Sequence, residues 1–242
     1  EKKEQVEKQA KEVKTVTSTV AATPEADSLK TAQAQAQLGS FGYSATLPSA
    51  TDAVTEIKNE VLSLKISNKG GYIVDATVLG FDQFEKNSKK AVQIIKDNNA
   101  SLDIALNTTD NRTLHTKDMY FEPKLTTEGK NQVLTLQLKA GPDQFLEYRY
   151  VLKPNEYMLD FAIRSQGLEK VVNTSKPLDL EWQLKTYRNE KSVSYENRYT
   201  EIVFEYEDGK DDYLNAARDS EDEAKDVSYI AFKQHLFTSI LL

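Results

Sequence analysis

Short runs in which apolar and polar residues alternate recur along most of the chain. The first run places Leu62, Leu64 and Ile66 on one side of an extended segment. A turn-forming sequence, Asn68-Lys69-Gly70-Gly71, interrupts the alternation, which then resumes at Tyr72. Because successive side chains of a strand point to opposite faces, this pattern predicts a half-buried β-hairpin.

The same alternation returns in four later segments that turn residues separate. Their apolar positions are Leu134/Leu136/Leu138, Leu146/Tyr148/Tyr150/Leu152, Tyr157/Leu159/Phe161/Ile163 and Leu178/Leu180/Trp182/Leu184. A further strand is predicted from Thr200 to Tyr206. Recurrent short strands without long helices between them predict an all-β fold of antiparallel sheets packed face to face, with about ten to fourteen strands.

The N-terminal part of the chain lacks this pattern. Before Leu29 it contains no Leu, Ile, Met or aromatic residue, and an Ala/Gln-rich run follows. Such a composition offers too little apolar surface to offset the entropy of ordering the chain. We therefore predict a disordered or partly helical linker over residues 1–53 and a β-domain over residues 54–226. The charged start without Met is what we expect of a fragment of a longer protein.

The last two segments are predicted to differ from the strands. The acidic stretch Glu207–Asp226 is expected to be a solvated loop with a short helix at Tyr213–Arg218. Residues 227–242 are expected to form a C-terminal helix, because apolar residues would cover more than half of its circumference. The residues expected to pack on the sheets or on a partner are Tyr229, Ile230, Phe232, Leu236, Phe237 and Ile240.

Charge and composition exclude several kinds of chemistry. A net charge of −7 argues against nucleic-acid binding, which needs a basic surface. The absence of cysteine excludes disulfides, thiolate catalysis and zinc sites built on Cys. Neither of the two histidines, His115 and His235, lies in a catalytic motif, and the acidic stretch lacks the residue order of an EF-hand. We therefore predict no cofactor, no metal and no catalytic residue.

Four segments, in this order, resemble the large periplasmic domain of the YidC insertase family. They are the hairpin from Asn59 to Ile73 with its Gly70-Gly71 pair, the strand Asp179-Leu180-Glu181-Trp182, the segment Ser194-Tyr195-Glu196-Asn197-Arg198-Tyr199, and Val227 to Phe237. The last is similar to the family's W-[IV]-A-x-x-Q-x-[YF]-F segment. Tyr229 stands where the family more often has Trp, and Leu236 where it often has an aromatic residue.

The resemblance implies a β-supersandwich related to galactose mutarotase-like domains, with helical elements at its C-terminus. It also implies a non-enzymatic domain in the periplasm, carried by an inner-membrane insertase. The partners implied are the accessory subunit of the Sec translocon, nascent membrane-protein clients and the membrane domain of the insertase itself. Nucleic acid is not among them.

Two other functions stay open at this point. The implied fold is shared with aldose epimerases and carbohydrate-binding proteins, although epimerase chemistry needs a general acid and a general base across the sugar ring. A freestanding adhesin or surface lipoprotein is the second alternative. Membrane helices encoded after Leu242 would favour an insertase over that alternative.

Overall fold

The computed structural model describes residues 24–242, with side chains from residue 28 onward, and most of this part is β-structure. In chain order the strands are β1 (Val54–Lys58), β2 (Leu62–Ser67), β3 (Ile73–Asp82), β4 (Ala91–Ile95), β5 (Ala100–Asn107), β6 (Thr113–His115), β7 (Glu122–Glu128), β8 (Asn131–Gly141), β9 (Gln144–Leu152), β10 (Leu159–Gln166), β11 (Asp179–Leu184), β12 (Glu201–Tyr206), β13 (Lys210–Asn215), β14 (Val227–Lys233) and β15 (Thr238–Leu241). The helices are α1 (Pro24–Leu38), α2 (Gly42–Ala45) and α3 (Val193–Glu196).

The strands form four antiparallel sheets, so the all-β prediction is confirmed. Their orders are β1-β2-β3-β4, β10-β9-β8-β7, β11-β5-β6 and β13-β12-β14-β15. Three of the sheets are largely built from neighbouring strands joined by hairpins, which is the connectivity that short turn-separated strands favour. The third sheet instead brings β11 back beside β5.

The alternating residues of the first two sheets meet in one core. Leu64 and Ile66 of β2, together with Leu134 and Leu136 of β8, lie in a single cluster of buried side chains. Tyr148 of β9 is also fully buried there, and its ring lies 4.8 Å from that of Phe121. The alternation in the sequence therefore predicted correctly which faces of these strands are buried.

The Gly70-Gly71 pair links the first two sheets at the turn between β2 and β3. Both residues have positive φ, +81° and +68°, which an L side chain rarely adopts. A Cβ atom on Gly71 would lie 3.0 Å from the Tyr148 ring. The Gly71 carbonyl in turn accepts a hydrogen bond of 2.8 Å from the Tyr150 hydroxyl. Glycine is therefore required for both the conformation and the close approach of β9.

The predicted C-terminal helix over residues 227–242 is wrong, because this segment forms β14 and β15. Strand β14 lies between β12 and β15, with Phe232 opposite Ile202 and Ile230 opposite Phe204. The apolar residues are spaced in a way that fits either a helix or a strand. Here the backbone hydrogen bonds offered by β12 and the apolar partners on it decide in favour of the strand.

Part of the acidic stretch, which was predicted to be a solvated loop, forms a strand. Strand β13 pairs with β12 along its whole length, so the predicted short helix at Tyr213–Arg218 is wrong. Most residues of β13 are exposed, and Asp211 and Asp212 are among them. An edge strand of this kind carries no alternating apolar signal, since neither face is fully covered.

The N-terminal helices belong to the folded domain, which therefore begins earlier than residue 54. Phe41, between α1 and α2, is fully buried in the core cluster. The Ser44 hydroxyl donates a hydrogen bond of 2.6 Å to the Tyr120 carbonyl. The prediction of a partly helical segment agrees with α1, but its assignment as a linker through residue 53 is wrong, since Phe41 lies in the core. The part of the predicted linker before Pro24 lies outside the described residues.

Helix α1 packs closely on the segment that follows it. A Cβ atom on Gly42 would lie 2.6 Å from the backbone of Ala34, so glycine permits this contact. The Arg112 guanidinium donates a hydrogen bond of 2.6 Å to the carbonyl of Ala36 near the end of α1. Within residues 24–242, none of the helices has both the length and the apolar character to cross a membrane.

Candidate functional site at the C-terminal junction

The segment that connects the third sheet to the fourth lies against the turn between β14 and β15. We call residues 185–199 and 234–237 together the C-terminal junction. Helix α3 begins in this segment, and its N-cap Ser192 accepts a hydrogen bond from the backbone N–H of Tyr195. The β14–β15 turn is closed by a bond of 2.8 Å from the Gln234 N–H to the Phe237 carbonyl. Two segments that resemble the YidC family thus meet here.

A buried carboxylate holds the two parts of the junction together. Glu196 is only 3% exposed and accepts hydrogen bonds from the Asn189 N–H (2.9 Å) and the Gln234 side-chain amide (3.2 Å). The same amide donates to the Tyr187 carbonyl (2.7 Å), and its oxygen accepts from the Asn189 amide (3.0 Å). A buried polar network whose members satisfy one another fixes a single arrangement of the chain.

An aromatic rim surrounds the outer side of this network. The rings of Tyr195, Tyr199 and His235 lie with their centroids 4.7 to 5.2 Å apart. His235 Nδ1 lies 2.7 Å from a carboxylate oxygen of Glu190. A hydrogen bond with Tyr199 and the charge of that neighbour raise the pKa of Tyr195 above its ordinary value. Tyr195 therefore stays neutral at physiological pH, and the three rings together offer an amphipathic contact surface.

The residues predicted to pack are divided between buried and exposed positions. Phe232 contacts Trp182 of β11, with ring centroids 4.6 Å apart, and Phe237 contacts Phe81 at 5.8 Å. Ile230 and Leu236 remain exposed. Tyr229 and Ile240 are half-buried on the opposite face of the sheet from Phe232. The structure therefore brings only Phe232 and Phe237 against other aromatic side chains.

The residues that organise the junction were absent from that prediction. Glu196 and Gln234 lie inside the two segments that resemble the family, and Asn189 lies between recognisable elements. A polar residue in an irregular segment gives no periodic signal of burial. Their roles depend on which segments meet in space, and pattern analysis of one sequence does not supply this.

A second polar cluster surrounds His115 on the third sheet. Asp103 is almost fully buried and lies 2.6 Å from His115 Nδ1 and 3.5 Å from Lys117 Nζ. Burial alone would raise the pKa of Asp103, but the hydrogen bond from the Lys117 N–H and the bond and charges of His115 and Lys117 outweigh it. The result is a lowered pKa, so Asp103 is ionised at neutral pH.

Two depressions lie beside the C-terminal junction. A depression of about 490 Å³ is lined by Asp97, Asn98, Asn99, Gln183, Leu184, Lys185 and Tyr187. A smaller one, of about 60 Å³, lies beside Lys96 and Arg188. Neither includes a histidine. Among the side chains described, no group of three or more His, Asp or Glu has the geometry to hold a metal ion.

Comparison with known proteins gives consistent results. A family model described as the YidC periplasmic domain matches residues 54–242. The membrane protein insertase YidC of Porphyromonas gingivalis is 28% identical over 224 residues, which are 91% of this chain and 34% of that protein. The proteins of the same name from Phocaeicola vulgatus and Bacteroides fragilis are 27% and 28% identical, and cover 79% and 86% of this chain.

The matched region contains the whole of the four sheets and the C-terminal junction. The chain spans about a third of the length of the curated relatives it matches. The family is that of a periplasmic domain, in agreement with the predicted localisation. Since the match extends over more than half of the chain and includes each of the four segments that carried the resemblance, the chain belongs to the YidC periplasmic domain family.

Proposed function

We propose that this chain is the non-enzymatic periplasmic domain of an inner-membrane protein insertase, and that it serves as a scaffold and docking surface. The observation that carries the proposal is the family match over all four sheets, together with relatives named membrane protein insertase. The C-terminal junction supports a scaffolding role, because its buried network holds the β14–β15 turn of the fourth sheet on the segment that leads from the third sheet.

The proposed partners are the accessory subunit of the Sec translocon and segments of nascent membrane proteins. An exposed edge strand supports this part of the proposal. Strand β10 ends the second sheet, and among the described strands none pairs with its outer edge. Ile163 on this strand is 37% exposed. Unpaired backbone groups beside an exposed apolar side chain can accept an extended segment by strand addition.

Site-specific crosslinking in cells tests the partners. A photoreactive phenylalanine analogue replaces Ile163 in the full-length protein, and a second variant carries it at Glu221 in the exposed acidic segment as a control. We expect crosslinks from position 163 to a Sec component or to nascent membrane proteins, and few from position 221. If position 163 gives neither product while the protein is present at normal levels, the docking proposal is wrong.

One observation favours an aldose epimerase, the rival function. The pair of His115 and Asp103 resembles a carboxylate-oriented imidazole, which can act as a general base. However, the Asp103 carboxylate is also bound by the Thr116 hydroxyl and the Lys117 N–H, as expected of a structural cluster. Polarimetry on glucose and galactose distinguishes an epimerase from a structural cluster. We expect no acceleration of anomerisation, and turnover that is lost in His115→Ala would establish the enzyme instead.

A further inference from the structure

The end of β3 and the loop after it form an exposed surface with the C-terminal junction. Phe81 is 49% exposed and Leu236 is 61% exposed, and Phe237, the residue after Leu236, packs against the Phe81 ring. The Arg188 guanidinium lies 4.2 Å from the centre of the Phe84 ring. We call residues 81–90, 185–191 and 234–237 the basic aromatic surface.

The charge of this surface is opposite to that of the chain as a whole. Segments 81–90 and 185–191 contain six basic residues and three acidic ones, whereas the chain carries a net charge of −7. One of the three, Glu190, is engaged by His235 at 2.7 Å. Lys86, Lys89 and Lys90 are all exposed. A local excess of positive charge on an acidic domain favours an anionic partner.

We propose that the basic aromatic surface binds the surface of an anionic lipid bilayer. Exposed aromatic and leucine side chains surrounded by lysines are suited to the membrane interface, where the rings enter the headgroup region and the cations meet lipid phosphates. A bilayer is also the surface nearest to a periplasmic domain of an inner-membrane protein. This inference goes beyond the docking of Sec subunits or clients proposed above.

A protein partner fits the same residues less well. Tight protein interfaces are centred on apolar anchors in well-packed pockets with few charges nearby. Here the depression next to Phe84 is only about 60 Å³, and Lys96, Arg188 and Glu85 line it. Phe81 and Leu236 lie outside its lining. Exposed apolar side chains interleaved with cations need no pocket to insert into lipid.

Vesicle flotation with the purified chain tests the proposal. The chain is mixed with vesicles of phosphatidylglycerol and phosphatidylcholine, and in parallel with vesicles of phosphatidylcholine alone. We expect binding to the first kind, which weakens as salt is added because the attraction is screened. The variants Lys89→Glu/Lys90→Glu and Phe81→Ser/Leu236→Ser should each reduce partitioning at least about tenfold.

Matched controls are available on the second sheet. Leu125 of β7 is 50% exposed, and both its neighbour Lys124 and Lys130 in the turn after the strand are exposed. The variants Leu125→Ser and Lys124→Glu/Lys130→Glu change the same chemistry elsewhere and should bind like the unmodified chain. Trp182 fluorescence verifies that each variant is folded. Absence of binding to the anionic vesicles, or an equal loss in the control variants, overturns the proposal. Crosslinking in cells provides a further test, with a photoreactive analogue at Phe81. Crosslinks to proteins but to no lipid would also overturn the proposal.

Discussion

At the scale of single residues, the buried carboxylate of Glu196 has the clearest consequence for stability. Its replacement by Ala leaves the Asn189 N–H without an acceptor, and the buried Gln234 amide keeps only its bond to the Tyr187 carbonyl. We expect Glu196→Ala to lower the free energy of unfolding by about 2–3 kcal/mol. Urea denaturation measures the change, and Glu221→Ala in the exposed acidic segment is the control. A loss no larger than that of the control would contradict the assigned role of the network.

The lowered pKa of Asp103 leads to a prediction about how stability changes at acidic pH. Its pKa in the folded chain lies below the ordinary value of 3.8, because the Lys117 N–H, His115 and Lys117 together outweigh the effect of burial. A carboxyl with a lowered folded pKa stabilises the protein above its unfolded pKa, and this stabilisation is lost as the pH falls through the folded pKa. Asp103→Asn should therefore show a shallower loss of stability below about pH 4 than the unmodified chain. Denaturation at several acidic pH values compares the slopes, with Asp219→Asn as the control. Equal slopes in both variants would show that other groups govern the acid sensitivity.

At the scale of structural elements, strand β14 of the fourth sheet contacts the third sheet through one aromatic pair. Tryptophan fluorescence can report directly on this contact. Trp182 is the only tryptophan of the chain, and it packs edge-on against Phe232 of β14. Phe232→Ala should destabilise the protein by about 2–3 kcal/mol, which is below the cost for a fully buried Phe because this ring is half-buried. The emission of Trp182 should shift to longer wavelength as water reaches the ring. Val227→Ala at the exposed start of the strand should leave both quantities nearly unchanged. If Phe232→Ala also leaves the emission unchanged, the two sheets do not meet as described.

The same element shows which structural features the sequence could predict. The alternation of β2, β8 and β9 identified their buried faces, since strict period two over several residues has one structural meaning. The spacing in β14 and β15 fitted two periods, and no Gly or Pro marked the turn at Gln234. The choice between helix and strand depended on pairing with β12, whose residues are distant in the sequence. Phe41 was missed for a related reason, because the short segment after the Ala/Gln run contains too few apolar residues to define a period.

For the whole molecule, the important question is where the folded unit begins. The family match starts at residue 54, but the core also contains Phe41, and Ser44 bonds to both Tyr120 and the backbone N–H of Lys139. A fragment of residues 54–242 would expose to water the core surface that Phe41 covers, and it would lack these hydrogen bonds. We expect it to be less stable than the full chain by roughly 3–5 kcal/mol, the cost of removing one fully buried Phe side chain. Urea denaturation of both proteins provides the measurement. Phe41→Ala in the full chain separates the contribution of the side chain from that of the helices, and it should account for most of the difference. Equal denaturation midpoints for the fragment and the full chain would show that the sheets close their core without the N-terminal helices.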